Sequence, residues 1–372
     1  MKKILTASLI VSSLLLFAGC DKIESFIKNN SINPTKQEET KDSTQKPEQT
    51  PTETKQSNET SPYTIKDYYP FTENIVYDYE GTGNEYASYK VWIDFIKGDK
   101  IQRRTNNGGT ELVSVLQNKD GELKVVFSKE ETYYREDFTS KPSNKDEILL
   151  KEPLVKGTSW TLPDGRKRYI SNVDVPMKTV LGDFKALEVT TEDKDSKTID
   201  YYGLNAGLIE SVYQGSSMDV KSTLTKLSRN TPLTQTVRFY YPNGNDNKLY
   251  YTDKKLSFKT NDITKMIFEK QFKEAPNKTL GKLIGPNVKI KVLYLNKDTV
   301  YVDFSKELIT EMNAGSDYEG LILQAITNTL GKYYGVDRVY ITVEDKPYSS
   351  GHIEMKKGET FKVAADKAVK IK

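Results

Sequence analysis

The chain is poor in the residues that most enzymes use for chemistry. Among 372 residues there is one cysteine, Cys20, and one histidine, His352. A single cysteine excludes an intramolecular disulfide. With one histidine, every Cys–His pair or Ser–His–Asp triad would have to be built on His352. That residue sits in Ser349-Ser350-Gly351-His352 and is expected on an exposed loop. There is no HExxH and no CxxC, so the common zinc patterns are missing. Walker A is missing too, and Gly81-Thr82-Gly83 lacks the third glycine of a dinucleotide loop, so it reads as a turn. Asp193-Lys194-Asp195, within Glu192 to Asp200, has Thr198 where a calcium loop needs glycine, and reads as a polar hairpin tip. No catalytic residue, metal ligand or cofactor is expected. Paired carboxylates are the one route left to hydrolysis, because 52 acidic residues are spread through the chain.

Charge of one sign is also lacking. The net charge is +3, two of it from Lys2 and Lys3, and no nucleic-acid partner is expected from that balance. Two basic clusters, Arg103-Arg104 and Arg166-Lys167-Arg168, admit two readings. They contact anionic wall polymers or lipid headgroups, or they are solvated strand faces and turns.

The one long apolar run is at the start. Met1-Lys2-Lys3 is followed by an apolar stretch from Ile4 to Phe17 and by Ala18-Gly19-Cys20, the order of a secretory signal and too short for a stable membrane span. Leu16-Phe17-Ala18-Gly19-Cys20 resembles a bacterial lipobox, with Phe17 where Leu is usual. The resemblance implies that Cys20 is lipidated and tethers the protein to the outer face of the cell membrane. Lys28 to Pro62 is built from polar residues and proline, cannot offset chain entropy by burial, and is read as disordered.

The remainder of the chain is rich in tyrosine, 24 in all, and in β-branched residues. Tyr89 to Phe95 alternates; Glu111 to Gln117 and Leu123 to Phe127 flank an Asp120-Gly121 hairpin signal. Lys167 to Val173, Phe184 to Thr191, Thr198 to Tyr202 and Gly207 to Val212 continue the series, with turn residues about every ten positions and no helical periodicity. The pattern predicts one large antiparallel sheet, curved or closed into a half-barrel. Trp92 and Trp160 are read as core or strand-end anchors, with ligand stacking as the alternative role. Tyr68-Tyr69-Pro70, Gly157-Thr158-Ser159-Trp160, Gly182-Asp183-Phe184 and Tyr201-Tyr202 with Ala206-Gly207-Leu208 resemble export-associated β domains of bacterial lipoproteins. No function is carried over from that likeness.

After Asn230-Thr231-Pro232 the pattern changes. Strands are predicted over Thr236 to Tyr241 and Lys248 to Phe258, the second with a bend at Asp253-Lys254-Lys255. A helix capped by Asp262 is predicted to run to about Ala275, with Ile263, Met266, Ile267 and Phe272 apolar. A hairpin over Lys289 to Leu295 and Thr299 to Phe304 comes next, then a short helix from Ser305 to Met312. Ser316 and Glu319 form a capping-box pattern before a helix over Asp317 to Tyr334, whose stripe includes Leu321, Ile322, Ala325, Ile326, Thr329, Leu330 and Tyr333. Gly335 ends it, and Arg338 to Val343 is a closing strand. Strands on one layer and helices on the other make an α/β two-layer sandwich.

Val237-Arg238-Phe239-Tyr240-Tyr241, Gly285-Pro286, Val300-Tyr301-Val302-Asp303-Phe304-Ser305, the helix ending Ala325 to Leu330, and Val336 to Ile341 resemble, in that order, a GerMN domain of sporulation and spore-germination proteins. The resemblance implies a ring-building-like fold that works by protein contact without catalysis, in a spore-forming Gram-positive bacterium. The expected organisation is a signal peptide over 1–19, a lipidated tether over 20–62, an antiparallel β domain over 63–229, a GerMN-like domain over 230–365 and a tail over 366–372. Expected partners are the membrane, through lipid on Cys20, envelope or spore-assembly proteins, and a second copy of the chain. An alternative function is a cell-envelope binding lipoprotein, with an apolar ligand or glycan held in the β domain.

Overall fold

The computed structural model describes residues 61–371; Cys20, the signal segment and the tether fall outside the described residues. The first twelve strands are β1 (Ile75–Thr82), β2 (Tyr89–Lys97), β3 (Lys100–Asn106), β4 (Glu111–Lys119), β5 (Glu122–Lys129), β6 (Glu147–Lys151), β7 (Ser159–Thr161), β8 (Lys167–Thr179), β9 (Gly182–Glu192), β10 (Lys197–Gly203), β11 (Gly207–Gln214) and β12 (Asp219–Arg229). They form one antiparallel sheet. Each strand pairs with its neighbour in sequence, β12 pairs with β1, and only β6 and β7 do not pair. The expected curved sheet is therefore nearly closed. Closure of this kind leaves few unpaired strand edges.

The two edges that remain are joined by side chains. Trp160 Nε1 donates to Ile148 O at 3.1 Å, and Arg168 Nη1 donates to the same carbonyl at 2.7 Å. Arg168 also pairs with Glu147 at 3.0 Å. The β4–β5 hairpin is as tight as its residues demand, with φ of 52° at Asp120 and 71° at Gly121, and only Gly tolerates the second at no cost. Helix α1 (Ile65–Tyr68) drives Ile65 and Tyr68 into a cluster with Ile101, Leu116, Leu150 and Val189. This cluster fills part of the sheet's interior; the remainder is lined by a mixture of polar, aromatic and aliphatic side chains.

The later elements are β13 (Leu233–Asn243), β14 (Lys248–Phe258), α2 (Thr264–Phe272), β15 (Ile290–Asn296), β16 (Thr299–Phe304), α3 (Glu307–Thr310), α4 (Ser316–Tyr334), β17 (Arg338–Val343) and the short β18 (Lys346–Pro347), β19 (Phe361–Lys362) and β20 (Val369–Lys370). They make two small sheets instead of one layer, β13-β14-β20 and β15-β16-β17-β18, with β19 on β17. Helix α4 covers both. Its Thr329 Oγ1 accepts from Tyr240 N at 3.1 Å, so a side chain satisfies a backbone donor of β13. Asn328 binds Ala364 through both its amide atoms, at 2.8 and 3.0 Å, and ties down the segment after β19. These duties explain why α4 buries Asn328 beside its expected stripe, and why Thr329 within that stripe is polar. Gly335, at φ 70°, ends the helix as its position suggested.

Several local expectations are corrected. Gly315 stands at the N-cap of α4, and Ser316 is already helical, so no capping box forms. Asp262 accepts from Lys259 N at 2.8 Å instead of capping α2, which begins after Ile263 and stops at Phe272. Ile263 and Met266 are exposed, and Phe268 carries the buried face with Phe272. β14 runs unbroken through Asp253-Lys254-Lys255, and residues 369–370 add a strand where a tail was expected.

The β sheet and the α/β part share a seam built on Arg135. Its guanidinium lies over the Phe95 ring at 4.1 Å and donates to Asp94 O at 2.7 Å, to Lys259 O at 3.1 Å and to Asp262 O. Its backbone N–H donates to Tyr333 Oη at 2.9 Å, and its carbonyl accepts from Thr264 Oγ1 at 2.8 Å. One residue thus touches β2, α2 and α4 through polar atoms that would be costly to bury alone. Asn74 and Thr260 add a reciprocal pair at 2.8 and 2.9 Å.

Candidate functional site

The three long strands of the second α/β sheet place tyrosines in register. Tyr294 pairs with Tyr301, and Tyr301 with Tyr340. Successive strand residues point to opposite faces. Val300, Val302 and Phe304 enter the core, which turns Tyr301 outward together with its two partners. Tyr294 and Tyr301 stack at 5.2 Å, and Tyr340 meets Tyr301 edge-on at 5.5 Å. The row is half-buried and amphipathic, a composition enriched where proteins meet partners. Charged groups flank it. Lys291 pairs with Glu344 at 2.9 Å, and Arg338 pairs with Asp298. β15 ends the sheet on its side, and Val292 on β15, Met266 on the adjoining α2 and Ile263 just before α2 lie exposed. An apolar, edge-exposed surface with ion pairs at its rim suits docking.

At the start of α4, Glu319 is buried and accepts from Tyr348 Oη at 2.8 Å, Ser350 Oγ at 2.5 Å and His352 Nδ1 at 2.8 Å. Burial raises its carboxyl pKa, but the three donors outweigh burial and hold it below the ordinary 4.5. His352 keeps an exposed ring edge, and its other side pins the 349–354 loop to α4.

Residues 238–349 match the family described as Germane, sporulation and spore germination. The chain carries a GerMN domain. The match takes in less than a third of its 372 residues. No curated protein matches the sequence. The chain is similar to the solved tandem GerMN domains of the sporulation protein GerM from Bacillus subtilis, at 18% identity over 37% of this chain and 48% of that one, with a TM-score of 0.29. It thus spans about half the length of that tandem. Similarity to the first GerMN domain of the same protein is 17% over 35% of this chain and 94% of that one, with a TM-score of 0.25. A candidate lipoprotein from Clostridium perfringens is similar at 14% identity over 35% and 87%, with a TM-score of 0.24.

The structure separates the residues singled out in the sequence. Tyr301 and Tyr340, both part of the GerMN likeness, lie together on the open sheet face. The Arg103-Arg104 cluster is not a solvated face. Arg104 is fully buried against Asp94 at 3.0 Å and Glu111 at 2.7 Å, beside the seam to the GerMN domain, and Arg103 points into the β sheet's interior. Arg168 is buried likewise, and Arg166 pairs with Asp164 at 2.7 Å. Lys167, between Arg166 and Arg168, stays exposed. Trp160 anchors the β6–β7 seam, and Trp92 packs at the junction with the GerMN domain. Asp193 and Asp195 flank the β9–β10 hairpin tip, where Asp193 N donates to Ser196 O at 2.9 Å. Among the described residues no group of three His, Cys, Asp or Glu has metal-holding geometry, and no helix is long and apolar enough to cross a membrane. Arg135 and Glu319 were missed. Each is one charged residue among many in the sequence, and only the fold shows that it is buried.

Proposed function

We propose that this protein is a non-catalytic, lipid-anchored envelope protein that acts by protein contact in sporulation or spore germination. The observation that carries the reading is the match of residues 238–349 to a sporulation and germination family. The open tyrosine row and the β15 edge of that domain support contact as its mode of action. Cys20 supplies the anchor on the outer face of the cell membrane, and the GerMN domain presents its sheet to a spore-assembly protein or to a second copy. Ring-building is the assembly mode that the GerMN likeness implies. The test is a cross-linked pull-down of tagged, Cys20-anchored protein from growing and from sporulating cells. Spore-envelope proteins recovered only from sporulating cells, and lost on Tyr301→Ala with Tyr340→Ala, are the expected result. Identical recovery from both cultures, with normal spores in a deletion strain, would overturn it.

A further inference from the structure

The interior of the twelve-stranded sheet is only partly packed. Beyond the apolar cluster lies a cavity of about 200 Å³, lined by residues of most of the strands. Sheets of this strand number commonly enclose space that side chains do not fill. Its wall sets tyrosines and polar side chains beside Val91, Leu112, Leu149, Leu208 and Val220. Tyr79 and Tyr89 stack at 4.4 Å, and Tyr69 and Tyr202 stand 6.5 Å apart. A second hollow of about 440 Å³, at the β6–β7 seam, shares Glu147 and Arg166 with the cavity.

Three arginines of this sheet differ in their partners. Arg104 has two carboxylates and two backbone carbonyls. Arg168 has Glu147, Thr191 and Ile148 O. Arg103 has one hydrogen bond, to Tyr69 Oη at 3.2 Å, and no ion pair among the described residues. Its Nε is buried without an acceptor. The difference arises from strand geometry, because adjacent residues of β3 face opposite ways. Arg104 meets the acidic groups outside the sheet, and Arg103 enters the cavity between Ile93 and Ser114 of the neighbouring strands. A guanidinium presents a planar fork of five donors that suits a carboxylate. Leaving most of those donors without a protein partner, inside a protein, is costly.

We propose that the sheet interior is a binding site for a small monocarboxylate with a ring-sized apolar body, its carboxylate held by Arg103. Size sets the body: a cavity of about 150 Å³ accepts benzene, so this one takes one ring and its carboxylate. The apolar body faces Val91, Leu208 and the Tyr79–Tyr89 pair. Asp200, also on the wall and hydrogen-bonded to Ser211 Oγ at 2.6 Å, limits the ligand to one negative group, because it opposes each added negative charge in the cavity. The site is separate from the GerMN reading, and its test can fail without touching that reading.

The probe is benzoate, titrated into the full chain by calorimetry, with benzamide as its neutral counterpart. Benzoate is expected to bind and to raise the thermal midpoint, with benzamide roughly tenfold weaker or more, as loss of a charged hydrogen-bond pair implies. Arg103→Met is expected to abolish benzoate binding while leaving the ligand-free midpoint equal or higher, since it removes an underpartnered charge. Asp200→Asn is expected to tighten benzoate several-fold, and this second variant decides the matter if Arg103→Met does not fold. No benzoate binding, equal binding of benzoate and benzamide, or an affinity that neither substitution moves would overturn the proposal.

Discussion

Glu319 shows what one carboxylate does for this fold. Its pKa is lower in the folded chain than in the unfolded one. The unfolded state therefore binds the proton more readily, and the stabilisation is present above the ordinary value of 4.5 and lost as pH falls through the folded value. Glu319→Gln is expected to lower stability at neutral pH by about 1–3 kcal/mol, because Tyr348, Ser350 and His352 lose a charged acceptor. The same variant should show a flatter stability profile below pH 4.5 in urea titrations. An unchanged acid limb would place the acid sensitivity elsewhere. Side chains such as this one were illegible in the sequence. Glu319 read as half of a capping box because spacing reports neighbours along the chain, whereas its donors come from residues 348–352.

Elements were legible where one face is apolar and the other wet. β2, β4 and β5, the Asp120-Gly121 turn and α4 all arise from periodicity and turn chemistry. β3 and β12 did not show themselves, for a common reason. β3 sends Arg103 and Thr105 to the cavity wall and Arg104 to a buried ion pair, so its inward residues look like surface. β12 alternates Val220 with Ser222 on the same wall, so its inward face is mixed. A sheet whose interior mixes polar with apolar residues hides the alternation that marks a strand. Within α4, Gly331 was one more residue in a periodic run. A Cβ there would lie 2.3 Å from Val363 Cγ2 and 2.8 Å from Val336 O, and the second atom is backbone that cannot step aside. Gly331→Ala is expected to cost about 1–3 kcal/mol. Hydrogen exchange should show the loss first at residues 361–364, which Gln324 and Asn328 hold against that helix; uniform loosening of the whole chain would argue against this contact.

For the whole molecule, the seam at Arg135 governs cooperativity. Arg135 ties β2 to α2 and α4, so the β sheet and the GerMN domain are expected to unfold in one urea transition, followed together by fluorescence and circular dichroism. Arg135→Ala strips several buried polar groups of their partner at a cost of about 3–5 kcal/mol. Two separate transitions are expected for that variant. A single transition at an unchanged midpoint would show that the junction is held by its apolar contacts alone. The pairing of β12 with β1 has a mechanical consequence. The twelve-stranded sheet begins at Ile75 and ends beside it at Arg229, and Thr231 N donates to Asn74 O at 2.9 Å. When the chain is pulled at its two ends, load past α1 crosses from Asn74 directly to Thr231 and Thr260. The sheet hangs from the load path as a closed side loop, slack until that short bridge breaks, after which it peels open rung by rung from the β1–β12 pair.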